Sequence, residues 1–155
     1  MSRWSFVSLD PGETESLGEA FGRTAPSGGL IGLSGELGAG KTCLVRGLAR
    51  GLGCDPDRVH SPTFVIATEY PGGRCLLHHV DLYRLETSEI DELFFRDLLY
   101  GDGVAAVEWF DRLPSGPPAE VLLVSLRHGD GDERVIEAEA RGLRHEAWLA
   151  AAVRA

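Results

Sequence analysis

One stretch of eight residues constrains the fold of this chain more than any other feature. Residues 35–42 read Gly-Glu-Leu-Gly-Ala-Gly-Lys-Thr and match the pattern G-x-x-x-x-G-K-[ST]. Glycines in such a loop let the backbone turn tightly, so that successive N–H groups converge on a bound phosphate. The apolar run 30–34 predicts a buried strand before the loop, and the apolar spacing from Leu44 to Leu52 predicts a helix after it. A phosphate held there would lie at a helix N-terminus, where free N–H groups and the helix dipole favour anions.

Lysine usage supports the same interpretation. The chain has 15 Lys and Arg residues, and Lys41 is its only lysine. A compact ammonium on a flexible stem can fold over a phosphate where a planar guanidinium would clash. In such loops the lysine reaches the β- and γ-phosphates, and the following hydroxyl, here Thr42, ligates Mg²⁺. The alternative is a glycine-rich turn that merely precedes a helix.

Composition limits the class of protein. A chain of 155 residues is predicted to form one domain, 1–155, and 43% hydrophobic with 25% charged residues is ordinary for a globular protein. The net charge of −9 argues against a direct grip on the phosphate backbone of DNA or RNA. If nucleic acid is involved, we expect another protein to hold it.

The cysteines and the apolar runs indicate the compartment. Cys43, Cys54 and Cys75 form no C-x-x-C pair, so neither a zinc site nor a disulfide framework is predicted. Free thiols suit a reducing cytosol. No signal peptide and no membrane span are expected, so the predicted location is cytoplasmic.

The periodicity along the chain predicts strands and helices in alternation, with two antiparallel hairpins. Asp10-Pro11-Gly12-Glu13 supplies an N-cap, a first-turn proline and a capping-box carboxylate for the first helix. The expected strands are 4–9, 30–34, 63–70, 75–82, 104–107, 121–126 and 135–140, and further helices are expected from the loop to Leu52, around 90–98, and over 143–153.

Hydrolysis would require more than a phosphate loop. It needs a carboxylate to hold Mg²⁺ or orient water, and often a mobile loop that senses the γ-phosphate. Thr63, Asp81 and Glu108 stand at plausible places. Taken singly, each has an equally good structural interpretation. Thr63 would be a strand residue, Asp81 a strand-end cap, and Glu108 a surface carboxylate.

Four blocks together resemble one family. Residues 35–42, Ser-Pro-Thr-Phe at 61–64 with Glu-Tyr at 69–70, His-Val-Asp-Leu-Tyr-Arg-Leu at 79–85, and Val-Glu-Trp at 107–109 are similar to the signature blocks of the TsaE (YjeE) family. The resemblance spans roughly residues 10–142. Members of that family are small bacterial ATPases that work with TsaD and TsaB in making threonylcarbamoyladenosine on tRNA.

The resemblance implies a fold, two cofactors and a set of site residues. The fold would be a P-loop NTPase-like, three-layer α/β sandwich with a mainly parallel sheet and antiparallel hairpin additions, and the cofactors ATP and Mg²⁺. Thr42 and Glu108 would hold Mg²⁺, Thr63 would lie in a switch loop, and Asp81 would serve turnover. Trp109 would lie beside the nucleotide cleft, and tRNA would be reached only through TsaD and TsaB. The implied nucleotide-binding set is Asp10, Gly35, Glu36, Leu37, Gly38, Ala39, Gly40, Lys41, Thr42, Cys43, Trp109 and Arg134, with Asp10 and Arg134 assigned to the adenine end.

Cys43 leaves two interpretations open. It follows Thr42 in the first helical turn, where the dipole and Lys41 would stabilise a reactive thiolate that bound nucleotide shields. Alternatively, the side chain points into the core and is inert.

Rival activities differ in what the chain can supply. A GTPase would need an Asn-Lys-x-Asp guanine reader, and this sequence has no asparagine and no second lysine. A small P-loop kinase would need an acceptor pocket and usually an Arg-bearing lid, for which 155 residues leave little room. A nucleotide-gated binding module, in which hydrolysis is incidental, is the third alternative.

Overall fold

The structure, a computed structural model, describes residues 2–60, 67–83, 101–113 and 116–155. Predictions for Thr63, for the switch loop 61–64 and for the helix around 90–98 lie outside these residues. The elements are β1 (Ser2–Ser8), α1 (Pro11–Thr24), β2 (Leu30–Ser34), α2 (Lys41–Leu52), β3 (Ala67–Tyr70), β4 (Leu77–Asp81), β5 (Val104–Glu108), β6 (Val121–His128), β7 (Arg134–Arg141) and α3 (Leu143–Arg154), with short 3₁₀ turns at Pro56–Arg58 and Phe110–Arg112.

The strands form one seven-stranded sheet in the order β1-β7-β6-β2-β5-β4-β3. The four central strands, β6, β2, β5 and β4, are parallel, while β3, β7 and β1 pair antiparallel at the two sides. The predicted α/β class, the mainly parallel sheet and both hairpins are therefore confirmed. Because β2 is central and parallel to its neighbours, the loop after it lies at the carboxyl edge of the sheet, where ligand sites of such folds occur.

Most of the predicted boundaries hold to within a few residues. The Asp10 carboxylate caps α1 by accepting the Glu13 N–H (2.9 Å), and α2 ends at Gly53 in a left-handed conformation with φ 90°. One packing prediction is wrong. The apolar spacing within 143–153 predicts that Trp148, Leu149 and Val153 share one buried face, but Val153 is 40% exposed and Ala152 is buried instead. No helix in the described ranges is long and apolar enough to cross a membrane.

Helices α1 and α2 pack with their backbones almost in contact. A Cβ added to Gly47 would lie 1.9 Å from the Glu15 carbonyl oxygen, and one added to Gly18 would lie 2.1 Å from the Leu44 oxygen. Gly22 and Gly51 continue these two stripes one turn further on, with distances of 2.3 Å and 2.2 Å to the opposite backbone. Spacing of four residues places each pair on one helix face. The glycines therefore set how closely α1 approaches the helix that carries the phosphate loop.

Replacing Gly47 by Ala is expected to destabilise the protein by at least about 2 kcal/mol. In an exposed helix this change is favourable by about 1 kcal/mol, but overpacking against a rigid backbone costs about 1–3 kcal/mol or more. Here the clash is with the backbone itself and is the larger effect. Urea unfolding measures the difference. Ser16→Ala, on the exposed face of α1, is the control and should leave stability unchanged or slightly higher. A Gly47→Ala protein as stable as the wild type would show that the two helices can separate without cost.

Candidate functional site

The loop between β2 and α2 has the backbone that the glycines predict. Gly40 caps α2 with φ 105°, and Gly35 leaves β2 with φ 147°. A Cβ on Gly35 would lie 2.5 Å from the Leu126 carbonyl oxygen on β6, so a side chain there is excluded by space as well as by conformation. The N-terminus of α2 thus opens directly at the sheet edge, in the geometry that suits an anion.

Lys41 folds back over this loop. Its side chain is only 5% exposed, and Nζ donates hydrogen bonds to the carbonyl oxygens of Gly35 (2.5 Å) and Glu36 (2.9 Å). The same ammonium lies 4.1 Å from the centroid of the Trp109 ring, a cation–π distance. Lys41 and Trp109, both predicted site residues, are therefore brought together.

The electrostatics of Lys41 reflect three carboxylates. Burial lowers the pKa of Lys41, while the negative charges of Glu108, Asp81 and Asp111 act in the opposite direction. Asp81 and Glu108 come from the ends of adjacent parallel strands and are paired in register. The structure therefore gathers the two predicted catalytic carboxylates beside the predicted phosphate-binding lysine, and adds Asp111, which the sequence analysis did not select.

Thr42 and Glu108, the two predicted metal ligands, are in direct contact. The Thr42 hydroxyl lies 3.2 Å from each oxygen of the Glu108 carboxylate, and Glu108 is only 2% exposed. A hydroxyl and a carboxylate are hard oxygen donors of the kind that Mg²⁺ prefers. No group of three or more His, Cys, Asp or Glu side chains suited to a metal occurs in the described ranges. Mg²⁺ in proteins is commonly bound through one or two carboxylates together with substrate phosphates.

Asp81 lies at the mouth of the site. Its Oδ1 atom accepts the backbone N–H of Tyr83 (2.8 Å), and the residue is partly exposed, unlike Glu108. This bond turns the chain out of β4 and fixes the direction of the carboxylate. Asp81 is therefore more accessible to water than Glu108, which suits a role in water positioning.

Trp109 is held by an unusual backbone. It is the one non-glycine residue of the described ranges with positive φ, at 60°. The centroid of its ring lies 4.8 Å from that of the Tyr83 ring. The next residue, Phe110, packs directly over Gly32, where a Cβ would lie 1.6 Å from the Phe110 ring. Only glycine at position 32 therefore leaves room for Phe110. Anchoring of Phe110 and stacking on Tyr83 thus direct the Trp109 ring toward Lys41.

Two buried polar residues beneath Glu108 were not predicted from the sequence. His79, with no exposed surface, has Nε2 at 2.5 Å from Glu108 Oε2, and its Nδ1 is 3.2 Å from the Tyr70 hydroxyl. Strand alternation could have indicated His79, because it lies two residues before Asp81 and therefore on the same sheet face. Tyr70 has no comparable signal, since its contact depends on the β3–β4 register.

The remaining predicted residues lie around the loop. The Arg134 guanidinium donates to the Gly38 carbonyl (3.3 Å), and Asp10 caps the helix whose first turn contacts α2. Of the two interpretations of Cys43, the reactive thiolate is not favoured by its surroundings. Burial and the charge of Glu15 raise the pKa of Cys43, and its thiol donates to the Pro11 carbonyl (3.2 Å). The reason is geometric, because position 43 lies on the stripe that continues to Gly47 and faces α1, rather than the core or the phosphate position.

The fold and this loop define a protein with the P-loop NTPase fold. A family model described as "Threonylcarbamoyl adenosine biosynthesis protein TsaE" matches residues 8–136. A Bacillus subtilis protein named tRNA threonylcarbamoyladenosine biosynthesis protein TsaE is 36% identical over 94% of this chain and 91% of its own length, and a Synechocystis protein of the same name is 45% identical over 72% and 73%. The crystal structure of Bacillus subtilis YdiB matches with a TM-score of 0.83 and 31% identity, covering 99% of this chain and 95% of that one.

The chain therefore belongs to the TsaE family, and the resemblance seen in its sequence blocks is confirmed. Membership connects it with the biosynthesis of threonylcarbamoyladenosine in tRNA, the process for which the family is named.

Proposed function

We propose that this protein binds ATP with Mg²⁺ at the loop of residues 35–42 and hydrolyses it in threonylcarbamoyladenosine formation on tRNA, together with TsaD- and TsaB-like partners. The observation that carries the proposal is the contact of the Thr42 hydroxyl with both Glu108 oxygens, 3.2 Å each, at the N-terminus of α2. It joins the two halves of a nucleotide–metal site, one from the phosphate loop and one from the end of a neighbouring strand.

Each residue then has a physical task. Backbone N–H groups of the loop hold the phosphates, and the Lys41 ammonium adds charge-assisted hydrogen bonds to them. Bound Mg²⁺, held by Thr42 and Glu108, would neutralise charge that develops on the phosphates. The partly exposed Asp81 carboxylate orients the attacking water, and the Trp109 ring covers Lys41.

Partner dependence follows from what the chain itself supplies. Phosphoryl transfer is accelerated strongly when a cation neutralises the transition state, often one provided by a second protein. Lys41 is assigned to the phosphates themselves, so a second cation for the transition state would come from a partner. We propose that a TsaD–TsaB pair completes the site or acts on the predicted switch loop at 61–64, and that only these partners contact the tRNA.

The test is phosphate release from ATP with Mg²⁺, with and without a TsaD–TsaB pair from a related bacterium. We expect slow release alone, marked stimulation by the pair, and much weaker use of GTP. The γ-phosphate should be recovered as inorganic phosphate; its transfer to an acceptor would instead indicate a kinase. A rate that is unchanged by the partners would contradict the partner assignment, and absence of ATP binding would contradict the whole proposal.

A further inference from the structure

A buried chain of hydrogen bonds runs beneath the predicted metal carboxylate. His79 bridges Glu108 Oε2 (2.5 Å to Nε2) and the Tyr70 hydroxyl (3.2 Å to Nδ1). His79 has no exposed surface, and Tyr70 is 2% exposed. Polar side chains buried to this extent are held by specific partners, because an unpaired one is costly.

Donor and acceptor chemistry fixes the direction of the bond between His79 and Glu108. An ionised carboxylate can only accept, so Nε2 of His79 carries the proton and donates to Glu108. The second ring nitrogen, Nδ1, accepts the Tyr70 O–H when the imidazole is neutral and donates to the Tyr70 oxygen when it is charged. Both ring nitrogens of His79 therefore have a hydrogen-bond partner in either form.

These hydrogen bonds give the two oxygens of Glu108 different partners. Oε2 is engaged by both His79 and Thr42, whereas Oε1 is contacted only by Thr42 among the described residues. A carboxylate held by one oxygen cannot rotate freely about its axis. The His79 bond therefore fixes the orientation of the carboxylate and leaves Oε1 as the less engaged oxygen beside Thr42.

We propose that His79 is a positioning residue for metal binding, which orients Glu108 so that Oε1 is available to Mg²⁺, and that the Tyr70 hydroxyl holds the His79 ring in place through Nδ1. The inference rests on the proposed function, since it assigns the metal to Glu108. Groups that orient a metal ligand typically change metal affinity or activity by about 10–100-fold when removed.

The competing explanation is that His79 is only a satisfied core residue. The two differ in what a substitution changes, because a core role affects stability alone, whereas a positioning role affects metal affinity in the folded protein. The chain offers a matched control in His78, the preceding residue on β4, which is paired with Glu69 at 3.6 Å on the opposite sheet face.

The experiment measures Mn²⁺ affinity of the ADP-bound protein by electron paramagnetic resonance. Mn²⁺ accepts the same oxygen ligands as Mg²⁺. For His79→Leu we expect affinity to fall by about 10–100-fold, with ADP affinity in EDTA unchanged. His79→Gln, whose side-chain N–H can still donate to Glu108, should recover much of the loss, and Tyr70→Phe should lose less than His79→Leu. His78→Gln should match the wild type.

Two results separate the possible failures. If the wild-type protein binds no ADP–Mn²⁺, both the proposed function and this inference are contradicted. If the wild type binds and a folded His79→Leu protein binds Mn²⁺ equally well, the proposed function stands and the positioning role is overturned. Should His79→Leu not fold, Tyr70→Phe decides in its place, because it removes only the hydroxyl; affinity equal to the wild type would then overturn the inference.

Discussion

Replacing Lys41 by Ala should weaken ATP binding by about ten- to a hundredfold or more. A hydrogen bond to a charged group contributes about 1.5–3 kcal/mol, and each 1.4 kcal/mol is about a tenfold change in affinity. The surroundings increase the effect. Glu108, Asp81 and Asp111 all favour the charge on Lys41, and without it their repulsion of a triphosphate is unbalanced. Calorimetric titration with a non-hydrolysable ATP analogue and Mg²⁺ measures the change.

Two further variants test whether the effect is specific to the Lys41 ammonium. Arg50→Ala removes a cation from the same helix, where Arg50 pairs with Glu15 at 3.1 Å, and should bind ATP like the wild type. Lys41→Arg should not restore binding, since a planar guanidinium does not fit the space of a folded-back ammonium. Equal ATP affinity of wild type and Lys41→Ala would refute the assignment of the loop.

Glu108→Gln should reduce Mg²⁺-dependent ATP hydrolysis by about a hundredfold or more. Charge stabilisation by a bound metal supplies several kcal/mol in the transition state, and about 1.36 kcal/mol corresponds to tenfold in rate. ATP affinity without metal should change little, because the loop N–H groups and Lys41 provide most of the ground-state binding. Asp81→Asn should show the same division between turnover and affinity. Single-turnover hydrolysis and equilibrium binding, measured on the same samples, test it.

Asp111→Asn is the matched control for both carboxylates. Asp111 also acts on the charge of Lys41, but it lies on an exposed 3₁₀ turn rather than at a strand end paired with Glu108. We expect near wild-type turnover for this variant. If Glu108→Gln hydrolyses ATP at the wild-type rate, Glu108 does not hold the metal; if Asp111→Asn is as impaired as Glu108→Gln, the effect is general electrostatics rather than metal binding.

Much of the site could be predicted because its determinants are local. The loop of residues 35–42 needs glycines at fixed positions, and β2 and α2 on either side have clear apolar periodicity. Glu108 and Asp81 were found because each lies at the end of a predicted strand, and the carboxyl ends of parallel strands meet at one edge. The parallel register that pairs them bears out this expectation.

Other features could not be predicted because they depend on distant contacts. From the sequence alone, Gly47 is an unfavourable residue inside a helix. Its presence is explained only by the close approach of α1, since a Cβ there would lie 1.9 Å from the Glu15 carbonyl oxygen. Cys43 looked activated by its position in the sequence, but the rotation of α2 turns it toward Pro11 and its pKa is raised.

The sequence by itself determined the phosphate loop, the mainly parallel sheet and the family, because short-range patterns of glycine, charge and apolar residues specify each of them. Only the tertiary structure decided which side chains meet beneath and around that loop. Tyr70, His79 and Glu108 come from three strands, and their contacts exist because β3, β4 and β5 are adjacent in one register. Pairing between strands is set by the packing of the whole sheet, which no local pattern records.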